Sequence, residues 1–218
     1  MRLVNGIEIT AVEGHRDVHV LGYFFDPANA ALRSFLESQS EDRIRRVREM
    51  AVRLAFLGAP IDADPIIQQS RTSGRSVGRP HVAAALVAAG HVTTRDEAFR
   101  RFLENGRPAF IPRRGASPED VVSILTKAGG VSSLAHPGLA GMDAIISRLA
   151  AAGLHALEVR HTDHDAATEA RYRALATELG VAVSAGSDFH DDTGRRRCAL
   201  GEMTLTSVEL AALESRRG

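Results

Sequence analysis

Near the C-terminal end of the chain, the segment "SAGSDFH" places Asp188 and His190 two residues apart. In an extended chain residues i and i+2 face the same way, so a carboxylate and an imidazole would stand side by side where an apolar strand reaches the surface. Such a pair can cap a turn or ligate a cation, and the choice depends on what else converges there. Further candidates lie upstream: Glu8 in "LVNGIEITAV", His19 in "HRDVHVLGYFF", His136 closing "VSSLAH", and Glu158 and His161 at the end of "LHALEVRH". Successive strand ends thus carry His, His and Asp-x-His. Mixed imidazole and carboxylate sets suit Zn, Mn or Fe. Read singly, Glu8 between Ile7 and Ile9, and His19 between Val18 and Val20, fit solvent-facing strand positions equally well.

A second set is cationic. In "EDRIRRVREM", Arg43 and Arg46 are three apart and share a helix face. "SVGRPH" adds Arg79 and His81 beside a helix start, and "ENGRPAF" adds Arg107 in a loop. Guanidinium forks suit bidentate phosphate binding. Arg45 and Arg48 read instead as solvated helix positions held by ion pairs.

The elements that must position these groups follow from periodicity and breakers. Residues 1–27 read as two strands joined at Glu13-Gly14 and stopped by Asp26-Pro27. From 28 to 112 the spacing is helical, with Gly58, Pro60, Gly90 and Gly106 as terminators. From 113 to 218 helices and strands alternate: "SPEDVVSILTKAGG", "VSSLAH", "MDAIISRLAAAG", "LHALEVRH", "DAATEARYRALATELG", "VAVSAGSDFH" and "SVELAALESRRG". That alternation predicts a parallel sheet or barrel, with the helical block as an insertion. In such folds functional residues gather at the carboxyl ends of strands, where the candidates lie.

Bulk properties exclude several classes. Lys plus Arg and Asp plus Glu both total 27 in 218 residues, so no net charge points to general nucleic-acid binding. The lone Cys198 forms no internal disulfide, which fits a reducing compartment. No apolar run reaches the roughly 20 residues of a membrane span, and "MRLVNGIEIT" lacks a signal-peptide layout. A cytoplasmic location is the expectation.

Together "NGIEI…VHVLGYFFDP", "DRIRRVREM", "GRPHVAAALVAAG", "GRPAFIP", "AGGVSSLAHPG" and "GSDFH" resemble the PHP (polymerase and histidinol phosphatase) superfamily. The likeness is strongest to its small phosphatases of 3′,5′-bisphosphate nucleotides and its 5′-3′ exoribonucleases. The resemblance implies a distorted (β/α)7-type barrel with a helical cap. It implies Glu8, His19, His136, Asp188 and His190 as metal ligands, with Glu8 and Asp188 as the catalytic carboxylates. It implies Arg43, Arg46, Arg79, His81, Arg107 and His164 as substrate-binding residues. Two or three divalent ions, Mn first and Fe or Zn next, would serve hydrolysis of a phosphorylated nucleotide or short RNA, without a stable nucleic-acid complex or membrane partner. The family's His-x-His strand and "TDHD" strand have no match upstream of Glu8, so the chain resembles a barrel lacking its first two strands. Weak metal occupancy and impaired turnover are therefore expected. Two rival readings are a non-catalytic nucleotide-binding protein with a degenerate metal site and a metal-dependent C–N hydrolase.

Overall fold

The structure is a computed structural model that describes residues 3–14, 16–74, 76–189 and 201–217. His190 and Cys198 lie outside the described residues. The chain divides into two compact units, one of residues 1–33 and 116–218 and the other of residues 34–115.

The first unit is built on a five-stranded sheet of order β1-β2-β3-β4-β5. β1 (Gly6–Glu13) and β2 (Arg16–Tyr23) form an antiparallel hairpin. Its turn uses Gly14 at a φ of 60°, a conformation that costs glycine little. Ile9, Ala11, Val18 and Val20 are buried at alternate positions, so one face of the hairpin joins the core. β3 (Val131–Leu134) pairs antiparallel with β2, and β4 (Ala156–His161) and β5 (Ala182–Gly186) add to it in parallel. The sheet is therefore mixed: the strands of the alternating region pair in parallel, as expected there, and the N-terminal hairpin joins them antiparallel. Helix-sized βαβ crossovers force parallel pairing only from β3 onward. The long connection between β2 and β3 imposes no such direction.

Helices complete each unit. α1 (Ala30–Phe56) starts where Asn29 Oδ1 accepts the Leu32 N–H at 3.0 Å and stops at Gly58, whose φ is 73°. α2 (Asp64–Ser73), α3 (Arg79–Ala88), α4 (Arg95–Ala98) and a π-helical segment (Phe99–Leu103) follow it. Val47, Met50, Leu54, Val82, Leu86 and Leu103 are fully buried in the second unit's own core. In the first unit α5 (Pro118–Lys127) opens with a reciprocal cap: Ser117 Oγ accepts the Asp120 N–H at 3.1 Å and Asp120 Oδ2 accepts the Ser117 N–H at 3.2 Å. α6 (Pro137–Ala140), α7 (Asp143–Ala151), α8 (Ala166–Glu178) and α9 (Ser207–Glu214) alternate with the parallel strands. No helix among the described residues is long and apolar enough to cross a membrane.

Register decides which side chains share a face. Glu8 pairs with Leu21, Leu21 with Ser133, Ser133 with Ala156, and Glu158 with Ser184. Directly opposed residues point the same way, and so do residues two apart on one strand. Glu8, His19, Ser133, Glu158 and Ser184 therefore emerge from the same face, opposite Ile9 and Val20.

Candidate metal centre

The hairpin brings the first two groups together. Thr10 opposes His19, so Glu8 and His19 are diagonal neighbours, within reach of long side chains. His19 Nδ1 lies 2.6 Å from Glu8 Oε1, and both side chains are about one third exposed. β3 supplies the third group: the Ala135 N–H donates to the His19 carbonyl at 3.0 Å, which sets the next residue, His136, over the hairpin. His136 Nε2 lies 3.3 Å from His19 Nδ1 and 3.7 Å from Glu8 Oε1.

Glu8, His19 and His136 each offer one ligand atom, and these atoms all lie within 4.8 Å of one another. Donors held about 2.0–2.2 Å from one cation sit roughly 3–4 Å apart, so the trio fits a divalent ion after small side-chain movements. Hydrogen bonds with His136 and His19 hold the Glu8 carboxyl far below the usual carboxylate range, against the effect of its burial. Glu8 is therefore an anion at any working pH. Burial pushes the His136 ring down, but Glu8, Glu158 and Asp188 together carry it up.

Asp188 stands two residues beyond β5 at a φ of 50°. Its charge acts on His136, Glu158 and His161, so it belongs to the same neighbourhood. Glu158 is 4 % exposed, and its Oε2 accepts the His136 N–H at 2.8 Å. Burial, against that hydrogen bond, pushes its carboxyl up to about 7. His161 is 1 % exposed; its Nδ1 accepts the Asp163 N–H at 3.1 Å, so the neutral ring carries its proton on Nε2. Burial and the neighbouring His136 and His164 lower it to about 4. Glu158 and His161, both strand-end candidates in the sequence, are not among the ligands that the family resemblance implies. A register shift between Glu158 and Arg160 aligns Glu158 with Ser184 and His161 with Gly186, which turns both toward one face. Simple alternation would have put Arg160 there instead.

The remaining sequence candidates are distributed differently. His164 uses both ring nitrogens on backbone: Nδ1–H donates to the Val159 carbonyl at 2.9 Å, and Nε2 accepts the Gly138 N–H at 3.3 Å. Arg43, Arg46, Arg79, His81 and Arg107 all lie in the second unit. Arg46 is 3 % exposed, and its Nε donates to the Ile111 carbonyl at 3.0 Å. Arg79 lies over the Phe110 ring at 5.7 Å, His81 Nδ1 accepts the Gly78 N–H at 3.2 Å, and Arg107 is exposed, with Glu104 4.0 Å away.

No family model matches the chain. The 3′,5′-nucleoside bisphosphate phosphatase of Chromobacterium violaceum is 33 % identical over 192 residues, which cover 86 % of this chain and 67 % of that protein. The 5′-3′ exoribonuclease Rnm of Salmonella typhimurium is 29 % identical over 195 residues, covering 87 % and 66 %. A crystal structure assigned as a metal-dependent phosphoesterase from Bifidobacterium adolescentis superposes with a TM-score of 0.82 at 31 % identity, covering 99 % of this chain and 77 % of that one. A Chromobacterium violaceum structure described as an amidohydrolase, with bound sulfate and no metal, has a TM-score of 0.77 at 30 % identity, covering 98 % and 76 %. The fold and site thus define a chain of the metal-dependent phosphoesterase class. It belongs to the PHP family. It spans about two thirds of the length of the curated relatives it matches.

Proposed function

We propose that this protein hydrolyses phosphate esters of nucleotides, with a 3′,5′-bisphosphate nucleotide or the 5′ end of a short RNA as substrate. One observation carries the reading: Glu8, His19 and His136, from three strands or strand ends, converge with ligand atoms within 4.8 Å. These three would hold a divalent cation, with Asp188 and His190 as further ligands, in a distorted barrel of the family's kind. Residues 28–112 would form the helical cap, and Mn is the first choice of ion. Bound there, such a cation would polarise a phosphoryl oxygen and acidify a water. Glu8, kept ionised by the two imidazoles, contributes the negative charge that a cation needs. His161, neutral with its proton on Nε2, adds no competing positive charge behind His136. Arg43, Arg46, Arg79, His81, Arg107 and His164 remain the proposed substrate-binding groups, the arginines as partners for phosphate charge.

The test is phosphate release from adenosine 3′,5′-bisphosphate with and without Mn2+, together with Mn2+ and Zn2+ titration calorimetry. Metal-dependent release that disappears in His19→Ala and His136→Ala is expected. A wild-type chain that binds neither ion, or variants that bind them equally well, would overturn the reading. The likeness to an amidohydrolase supports a second reading, hydrolysis of C–N bonds at the same centre. Turnover of N-acyl substrates with none of phosphate esters would select it.

A further inference from the structure

His136 occupies a backbone conformation that its sequence disfavours. Its φ of 27° and ψ of 56° lie in the left-handed region, and Pro137 follows it directly. Neither a side chain with a Cβ nor a residue preceding proline adopts that geometry readily. Something must hold it, because this backbone determines where the imidazole points.

Two side chains supply the hold, Glu158 on β4 and His164 in the turn that follows it. Glu158 Oε2 accepts the His136 N–H at 2.8 Å, and His164 Nε2 accepts the Gly138 N–H at 3.3 Å. The Leu139 N–H donates to the His136 carbonyl at 3.0 Å, so the tight turn is closed on itself as well as tied to the strand. Each of these two side chains fits because the residue against it is glycine. A Cβ on Gly186 would stand 2.5 Å from Glu158 Oε1, and one on Gly138 would stand 2.9 Å from His164 Nε2. A buried carboxylate costs desolvation, and here its hydrogen bond couples it to the main chain of a candidate ligand.

We infer that Glu158 is a positioning residue: its buried carboxylate fixes the left-handed backbone of His136 and so aims that imidazole at Glu8 and His19, with Gly186 as the space it requires. The inference rests on the metal-centre reading for its consequence, but the clamp itself can be measured without metal. Two readouts separate the two claims: hydrogen exchange of the His136 amide in the metal-free chain, and Mn2+ affinity by calorimetry. Glu158→Leu should speed exchange at His136 by about an order of magnitude or more while amides of β1 and β2 stay protected. It should weaken Mn2+ binding by about 10–100-fold. Glu158→Gln keeps an acceptor oxygen and should restore both. Gly186→Ala displaces the carboxylate with Glu158 intact, should reproduce the Leu phenotype, and decides the matter if the Leu variant does not fold. Unchanged exchange and Mn2+ affinity in both Glu158→Leu and Gly186→Ala, or a Gln variant as damaged as Leu, would overturn the inference. A wild-type chain that binds no Mn2+ refutes the metal centre, whereas the exchange measurement still decides the clamp.

Discussion

Glu8 touches both imidazoles of the centre, at 2.6 Å from His19 and 3.7 Å from His136, so removing its charge alters two other donors at once. Glu8→Gln should weaken Mn2+ and Zn2+ binding by more than about 100-fold, beyond the range typical of outer-sphere losses. Because the side chain is one third exposed, stability without metal should change by no more than about 1 kcal/mol. Calorimetry and urea unfolding of the same variant measure the two effects, and a metal affinity within threefold of wild type would remove Glu8 from the ligand set. Hairpin register is local, so alternation across "GIEITAV" and "DVHVLGY", closed by the Glu13-Gly14 turn, sets Glu8 and His19 on one face. The face that His161 takes, though its place at a strand end was legible, could not be read in the same way. One extra residue in β4, between Glu158 and Arg160, exchanges the faces of Arg160 and His161, and nothing in "LEVRH" announces that bulge. Burial of Glu158 was equally invisible, since it depends on Gly186 in a neighbouring strand.

Among the elements, helix ends were legible where glycine and proline stop the spacing, whereas the start of α9 rests on a cap seen only in the structure. Thr206 Oγ1 accepts the Glu209 N–H at 3.2 Å, Glu209 Oε2 accepts the Thr206 N–H at 2.8 Å, and Arg173 donates to Glu209 Oε1 at 2.6 Å. The Thr206 N–H, with Arg173 and the Thr206 hydroxyl, lowers the Glu209 carboxyl from 4.5 to about 2. A carboxyl depressed in the folded state contributes stability that is complete above pH 4.5, shrinks as the pH falls, and is gone below about pH 2. Glu209→Gln should therefore be less stable than wild type by about 1 kcal/mol near neutrality, with the gap closing on acidification. Urea unfolding across that interval measures it, and a gap that stays constant would exclude the ionised cap. Strand pairing was less legible. The sense of β2 against β3 depends on contacts more than a hundred residues apart, which no local signal encodes. The bounds of α2 within the helical block are not legible, because "DPIIQQSRTS" buries only Ile67, too little for a periodic apolar stripe.

Across the whole molecule, each unit has a buried apolar cluster of its own among the described residues, one around Phe24, Val131, Ala156, Ala182 and Leu213 in the first and one around Val47, Leu54, Leu86 and Leu103 in the second. The candidate ligands Glu8, His19 and His136 belong to the first unit, and the candidate arginines to the second. A cation that binds only the folded first unit stabilises that unit by mass action and leaves the other unchanged. Two units with their own cores also need not unfold as one. Leu86→Ala removes a fully buried side chain from the second core and should cost about 2–5 kcal/mol there. Followed by hydrogen exchange, this variant should lose protection in residues 34–115 while Mn2+ affinity and protection of β1–β5 stay at wild-type values. On the phosphoesterase reading, its KM for a bisphosphate nucleotide should then rise far more than its metal requirement changes. If Mn2+ instead raises the protection of both units together, or Leu86→Ala abolishes Mn2+ binding, the two cores form one cooperative structure and the division of labour between cation and phosphate is wrong.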